Sequence, residues 1–464
     1  MDSGDWSNHM VLRPDKAGPL VLIRFLLYNY MAEDAFIECP KGKENENLKR
    51  KWLIVLSLIG QIFFLLVDKP LKIFGAAIEW FLNFLSANQN FRGLLLNLLR
   101  GKLVKPHRKS ATYMTVLGHL DKRVKLDRNL SPGDDKYSRA LCAMAAKVAY
   151  ENKAFISTTV TKDWEMDFIR FYKFFNFSQM KPTTEAYMFM DNKNKDTEVV
   201  VVAFRGTEPF DGYAWSTDLD ISWYEYPGMG KVHGGFMKAL GLLENGSWPK
   251  EIHRNKERGS AYYKIRRKLR KLLLNNRKRK FIVTGHSLGG ALAILFIAIL
   301  AFHDEKSLLK KLEGVYTFGQ PRVGDEDFSI FMQNKIKDFH INYQRIVYSS
   351  DIVPRVPSDD PTLMFKHFGN CIYYNSLYKA KKLEEEPNKN YFSRKIMERI
   401  NKHLNSFFEL IRSFIMPNLQ GPEYSENLLL KAFRVCGLLF PGVVAHNTYD
   451  YVNATRLGDV LANI

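Results

Sequence analysis

Phe281-Ile282-Val283-Thr284-Gly285-His286-Ser287-Leu288-Gly289-Gly290-Ala291-Leu292-Ala293-Ile294-Leu295 is the stretch on which the reading of this chain turns. A short apolar run comes first, then a G-x-S-x-G, then a run of small and apolar residues. The first run reads as a buried strand and the last as a helix. The pentapeptide between them is the sharp strand-to-helix bend that projects a serine hydroxyl above the end of a sheet. Gly285 and Gly289 flank the bend because it leaves little room for side chains. Ser287 is the candidate nucleophile. The backbone N–H of Leu288 opens the helix, where a donor is aimed at a developing oxyanion. On its own the pentapeptide also fits a structural serine in a Gly-rich turn; the strand and helix on its two sides favour the nucleophile.

A serine nucleophile needs a base and an orienting acid. In hydrolases with this bend the chain order is Ser, then Asp or Glu, then His. Asp351 follows the apolar run Arg345-Ile346-Val347-Tyr348 and precedes Pro354, which places an acid just past a strand. His367, His403 and His446 lie beyond it. His403 falls in an amphipathic helical pattern (393–416), where packing explains it. His367 sits in Phe365-Lys366-His367-Phe368-Gly369 and remains the second candidate for the base. His446 follows Pro441-Gly442 in a late loop and is the first. His286 is too close to Ser287 to reach back around the bend and is given a packing role. A second oxyanion donor is expected after an earlier core strand, and Thr207 in Phe204-Arg205-Gly206-Thr207-Glu208 fits.

The wider pattern is strands alternating with helices. Thr197–Phe204 is continuously apolar and β-branched, as in a strand buried on both faces. Val315–Phe318 and Ile341–Val347 read likewise, with helices near 138–150, 235–245, 261–275 and 288–302. This predicts a mostly parallel α/β sheet with helices on both faces.

The chain has 464 residues, 46% of them hydrophobic, and a net charge of +19. The densest basic run covers Lys264 to Lys280. It reads first as a solvated helix face and second as a contact for anionic lipid. No zinc-ligand spacing and no aromatic RNA-binding strand accompanies the charge, so nucleic acid is not the expected partner. Cys39, Cys142, Cys371 and Cys436 show no pairing pattern, and Met1 to Asp5 does not open a secretory signal; both point to the cytosolic side.

Residues 1–87 carry the most apolar part of the chain. Trp52 to Val67 holds no charge, Asp68-Lys69-Pro70 interrupts it, and Leu71 to Leu85 continues it. The first arm is short of the roughly 20 residues that cross a bilayer, and the proline is expected to kink or end the helix. We read 52–86 as a lipid-surface anchor, either a hairpin or in-plane helix pair or a single tilted crossing, against a helical pair packed on the domain. Residues 88–135 read as a linker and 136–464 as the catalytic domain.

Val-Ala-Phe-Arg-Gly-Thr (202–207), Thr-Asp-Leu (217–219), Val-His-Gly-Gly-Phe (232–236), Gly-His-Ser-Leu-Gly-Gly (285–290), Thr-Phe-Gly-Gln-Pro-Arg-Val-Gly (317–324) and Asp-Ile-Val-Pro-Arg-Val-Pro (351–357) resemble the class 3 lipases. The apolar N-terminal arm, Lys-His-Phe-Gly (366–369) and Asp-Tyr-Val-Asn-Ala-Thr-Arg-Leu-Gly (450–458) resemble more narrowly the plant oil-body triacylglycerol lipases. The resemblance implies an α/β-hydrolase fold and a Ser287, Asp351, His446 triad with Thr207 and Leu288 at the oxyanion. It also implies triacylglycerol as substrate, residence on lipid droplets, and no cofactor or metal. It makes the aromatic segment 208–228 a lid. The chain departs from the family in a long insert at about 377–440. A phospholipase A1 or galactolipase on the same scaffold, and a catalytically silent droplet scaffold, are the competing expectations.

Overall fold

The computed structural model describes residues 9–28, 36–39, 48–176, 181–194, 196–242, 260–359, 364–392 and 395–458. The polar stretch at 41–46 and the N-terminal residues Met1 to Asp5 lie outside them.

The apolar runs form the middle of one eight-stranded sheet. Its strands are Asp167–Asn176 (β1), Lys181–Asp191 (β2), Glu198–Phe204 (β3), Arg279–His286 (β4), Leu312–Phe318 (β5), Asn342–Tyr348 (β6), Cys371–Tyr374 (β7) and Ala380–Leu383 (β8). Within this sheet the strands lie in chain order, although Trp223–Tyr226 and Gly230–His233, between β3 and β4, join a second, four-stranded sheet with His9–Leu12 and Ile37–Glu38. β3 to β7 are parallel, while β1, β2 and β8 add antiparallel edges. The centre is therefore the parallel sheet that the sequence predicts.

Alternate residues of β3 serve opposite faces. Val200, Val202 and Phe204 enter one core with the helix Leu288–Phe302, and Val201 and Ala203 enter the other with the helix Asp135–Val148. Burial on both faces is why the strand reads as an unbroken apolar run rather than an alternation. Register aligns Phe204 with Gly285, Gly285 with Thr317, and Phe318 with Ile346. The carboxyl ends of β3 to β6 thus finish at one level, the place where parallel sheets present ligand-binding loops.

The N-terminal arm differs from its expected form. Leu48–Ala87 is one continuous helix with Pro70 inside it, about 60 Å long at 1.5 Å per residue. Proline removes one backbone donor and crowds the preceding turn, but here the turns on both sides are fastened. Asp68 Oδ1 accepts from Tyr213 N at 3.2 Å, and Lys72 Nζ reaches Asp68 and Asp211 at 2.7 and 3.2 Å. Phe64 stacks on Trp215, Phe74 meets Phe210 edge-on, and Ser57 Oγ donates to Leu219 O at 2.6 Å. The arm is thus a single rod laid along segment 208–228, not a hairpin. Ile54, Val55 and Leu58 are buried, whereas Trp52, Leu56, Ile59, Phe63 and Leu66 form an exposed apolar stripe. By length and composition this helix could cross a membrane.

Residues 88–135, expected as a linker, hold the helices Asn90–Leu99 and Val116–Leu120 and are built into the domain. Asp121 is buried between Arg123 and Lys147 at 2.9 and 3.2 Å, and Asn427 Nδ2 donates to the carbonyls of His119 and Leu120. The insert opens with β8 and continues as the helices Ile396–Gln420 and Leu428–Gly437. Within the basic run, Arg266 and Arg270 face Glu305, and Arg279 faces Glu198, so part of that charge is neutralised within the protein. None of the four cysteines is in a disulfide.

Candidate active site

Ser287 occupies the bend between β4 and the helix Leu288–Phe302, with φ 60° and ψ −132°. A non-glycine residue in that region is strained and persists only where its surroundings fix it. Here they do. Ser287 N donates to Phe318 O at 2.9 Å, and Ser287 O accepts from Gly290 N. A Cβ on Gly285 would lie 2.2 Å from the Gly289 carbonyl, and one on Gly289 would lie 2.3 Å from Phe204 O. Both glycines are there because three stretches of backbone touch. The Leu288 amide is the first of its helix and has no acceptor within it.

Thr207 stands three residues beyond β3 and lines one small cleft with Leu288. Gly206 before it faces the Tyr150 hydroxyl and the His286 carbonyl, which a Cβ would approach to 2.1 and 2.5 Å. Thr207 Oγ1 donates to Asp218 Oδ2 at 2.7 Å. The hydroxyl is therefore committed to Asp218 when that carboxyl is ionised. Burial raises the Asp218 carboxyl to about 7, outweighing the Thr207 hydrogen bond and the nearby His446. Asp218 Oδ1 is buried without a partner.

Asp351 follows β6 and is fully buried. Its Oδ2 lies 2.8 Å from His446 Nδ1 and also accepts from the Tyr451 hydroxyl. Its Oδ1 accepts from Val353 N at 2.9 Å. His446 sits between the short helix Pro441–Val444 and the helix Thr448–Leu457, whose cap Asn447 accepts from Asp450 N. The His446 ring stacks on His286 with centroids 4.4 Å apart. Its Nε2 is buried and has no hydrogen-bond partner, so the Ser287 hydroxyl is not yet bonded to it. Such contacts are often long before substrate arrives. His286 in turn meets the Tyr150 hydroxyl at 2.9 Å, and burial together with His446 keeps its imidazole well below the usual range.

The other histidines lie elsewhere. His367 Nε2 is 2.7 Å from Pro354 O and 3.8 Å from Glu386, and His403 Nδ1 is 2.9 Å from Leu438 O. Ser287, Gly319, Asp351 and His446 gather beyond the ends of β4 to β6. Gly319 has φ +58°, and a Cβ on it would come 2.8 Å from Asp351 Oδ2 and 2.9 Å from the His446 ring. Gly319, Asp218 and Tyr451 all lie inside stretches whose residue pattern drew attention in the sequence. Their roles depend on contacts 11 to 100 residues away, which spacing does not show. Among the described residues no group of three or more His, Cys, Asp or Glu side chains is placed to hold a metal ion.

The model of the family described as "Lipase (class 3)" matches residues 201–360. That span contains Thr207, Asp218, Ser287, Gly319 and Asp351. The chain is 38% identical to Triacylglycerol lipase OBL1 of Arabidopsis thaliana, over 98% of this chain and 96% of that one. It is 39% identical to Triacylglycerol lipase OBL1 of Nicotiana tabacum, over 88% and 83%, and 36% identical to that of Ricinus communis, over 98% and 96%. These likenesses run through the N-terminal helix and the insert as well as the sheet. An α/β-hydrolase fold, a serine at the bend and full-length relatives of this kind identify the chain as a member of the class 3 lipase family of ester hydrolases.

Proposed function

We propose that this protein is a serine lipase that cleaves the carboxylic esters of triacylglycerol, and of the di- and monoacylglycerols derived from it, at a lipid-droplet surface. Ser287 is the nucleophile, His446 the general base, Asp351 its orienting acid, and the amides of Thr207 and Leu288 the oxyanion donors. The observation that carries the reading is the 2.8 Å contact between His446 Nδ1 and Asp351 Oδ2. It leaves Nε2 as the unpartnered nitrogen of a ring stacked on His286, the residue before the serine of the strained bend.

His446 takes the Ser287 proton as the hydroxyl oxygen attacks the ester carbonyl. The two amides hold the tetrahedral oxyanion, and the imidazolium returns its proton to the departing alcohol. Water, deprotonated by the same nitrogen, then releases the fatty acid and restores the serine. The segment 208–228 acts as the lid. Its aromatic face is covered by the N-terminal helix in water and is exposed at low cost against oil. That helix is the anchor, lying along the cytosolic side of the droplet surface, where a monolayer offers no second aqueous side.

Hydrolysis of emulsified triolein by the wild type and by Ser287→Ala tests the assignment. Loss of activity and of fluorophosphonate labelling is expected, and near-full activity in the variant would refute it. Parallel rates on phosphatidylcholine separate this substrate from the phospholipid alternative.

A further inference from the structure

The helix Ile396–Gln420 is turned inside out. Its polar residues Lys402, Ser406, Glu409, Arg412 and Ser413 are buried, while Ile400, Leu404, Phe407, Phe408, Ile411 and Phe414 are exposed. The inward stripe is fastened along its length. Lys402 donates to the Tyr391 carbonyl, the Tyr348 hydroxyl donates to Glu409 Oε1 at 2.9 Å, and Arg412 Nη2 donates to Asp450 Oδ1 at 2.7 Å. Asp450 also meets Arg434 of the next helix, which holds Glu426 as well. Truncating one member of such a buried set leaves an uncompensated charge inside the protein. The helix therefore cannot roll to hide its apolar side.

The apolar face does not stop there. The helices Ile396–Gln420, Leu428–Gly437 and Pro441–Val444 pack on one another, and Leu428, Leu439, Phe440 and Val443 are more than half exposed. The last of these stands three residues before His446. The two longer helices themselves present no exposed carboxylate, although Glu423 in the connection between them is exposed. The two acids of the long helix are Glu398, half-buried and 3.3 Å from Lys395, and Glu409, buried. The helix Leu428–Gly437 has no acid at all. Lys395 and Arg399 are exposed at the rim. Two helices that present apolar surface with cations at the rim and no exposed carboxylate of their own match a lipid monolayer with anionic headgroups.

We propose that the insert is a second lipid-docking face. It seats the His446 side of the site on a phospholipid-coated surface, independently of the N-terminal helix. The inference deepens the lipid-surface reading above, and its readout is binding rather than hydrolysis, so the two fail separately.

Cys436 is exposed on this face and gives a native reporter. In the full-length protein with Cys39→Ser, a polarity-sensitive fluorophore on Cys436 should shift to the blue on triolein droplets coated with phosphatidylcholine and phosphatidylserine. In the triple variant Phe407→Ser, Phe408→Ser, Phe414→Ser, flotation with those droplets should fall by about ten-fold or more, with hydrolysis of soluble p-nitrophenyl butyrate unchanged. An unshifted fluorophore on protein that has floated with the droplets would overturn the proposal. So would a wild-type dimer, measured by light scattering, that the triple variant dissociates without losing droplet binding; the face would then join two copies of the chain.

Discussion

The Thr207 hydroxyl donates to Asp218 at 2.7 Å, and the acceptor carboxyl is raised to about 7 by burial. Its ordinary value in an unfolded chain is about 3.9, so between these limits the folded protein holds a proton that the unfolded one does not. The resulting stability is full at about pH 4 and is lost as pH rises through about 7. Asp218→Asn keeps an acceptor for Thr207 and removes the titration. Urea midpoints at about pH 5 and about pH 8 should differ less in the variant than in the wild type. An equal difference in both proteins would show that Asp218 does not carry this dependence.

Asp351 is expected to act through His446 alone. Asp351→Asn, by favouring the wrong tautomer, should lower kcat by about 10⁴-fold with KM little changed, as in other enzymes of this chemistry. Tyr451→Phe removes one donor from the same carboxylate and should cost about ten-fold in kcat. Steady-state kinetics on a soluble ester measures both, and an effect of Tyr451→Phe on KM alone would argue against a role through Asp351.

Gly319→Ala tests the space behind the triad. The added carbon would lie 2.9 Å from the His446 ring, at a φ of +58°. Displacing the ring by a fraction of an ångström should lower kcat by about 10²-fold, while circular dichroism shows an unchanged fold. Activity close to wild type would mean that the ring has room to retreat.

The grip of the N-terminal helix on segment 208–228, the proposed lid, is open to a gain-of-activity test. Asp68→Ala removes the acceptor for Tyr213 N and a partner of Lys72. A lid held less tightly should raise hydrolysis of water-soluble esters by about five-fold, for a contact of about 1 kcal/mol, and shrink the further rise on adding emulsified oil. If the soluble rate is unmoved, this contact does not hold the lid shut.

The central strands and the serine bend were legible because their signals are local. β3 is buried on both faces and so reads as an unbroken run, and a bend that brings Gly285 against Gly289 needs both glycines. The strands β1, β2, β7 and β8 are not legible in the same way: the edge strands β1 and β8 are of mixed composition, and β2, although buried on both faces at Ala186 to Phe189, carries Lys181, Thr183, Thr184 and Glu185 in the same run. The course of the N-terminal helix through Pro70 was also hidden. It depends on Asp68 and Lys72 meeting residues near 211, more than 130 positions later. The choice between His367 and His446 needed the fold as well, because only the fold carries one ring to Asp351 and the other to the Pro354 carbonyl. The inverted helix of the insert looked like any amphipathic helix, because periodicity gives the stripe but not which way it points.

A sheet laid down in the order of its strands has a consequence for biosynthesis. Within that eight-stranded sheet each new strand pairs with one already made, so its assembly can proceed from β1 towards β8. His446 lies beyond all eight of these strands in the chain, so its contact with Asp351 forms only after their order is laid down. On the reading proposed above, a nascent chain that has made the whole sheet but not yet His446 still lacks the base for Ser287.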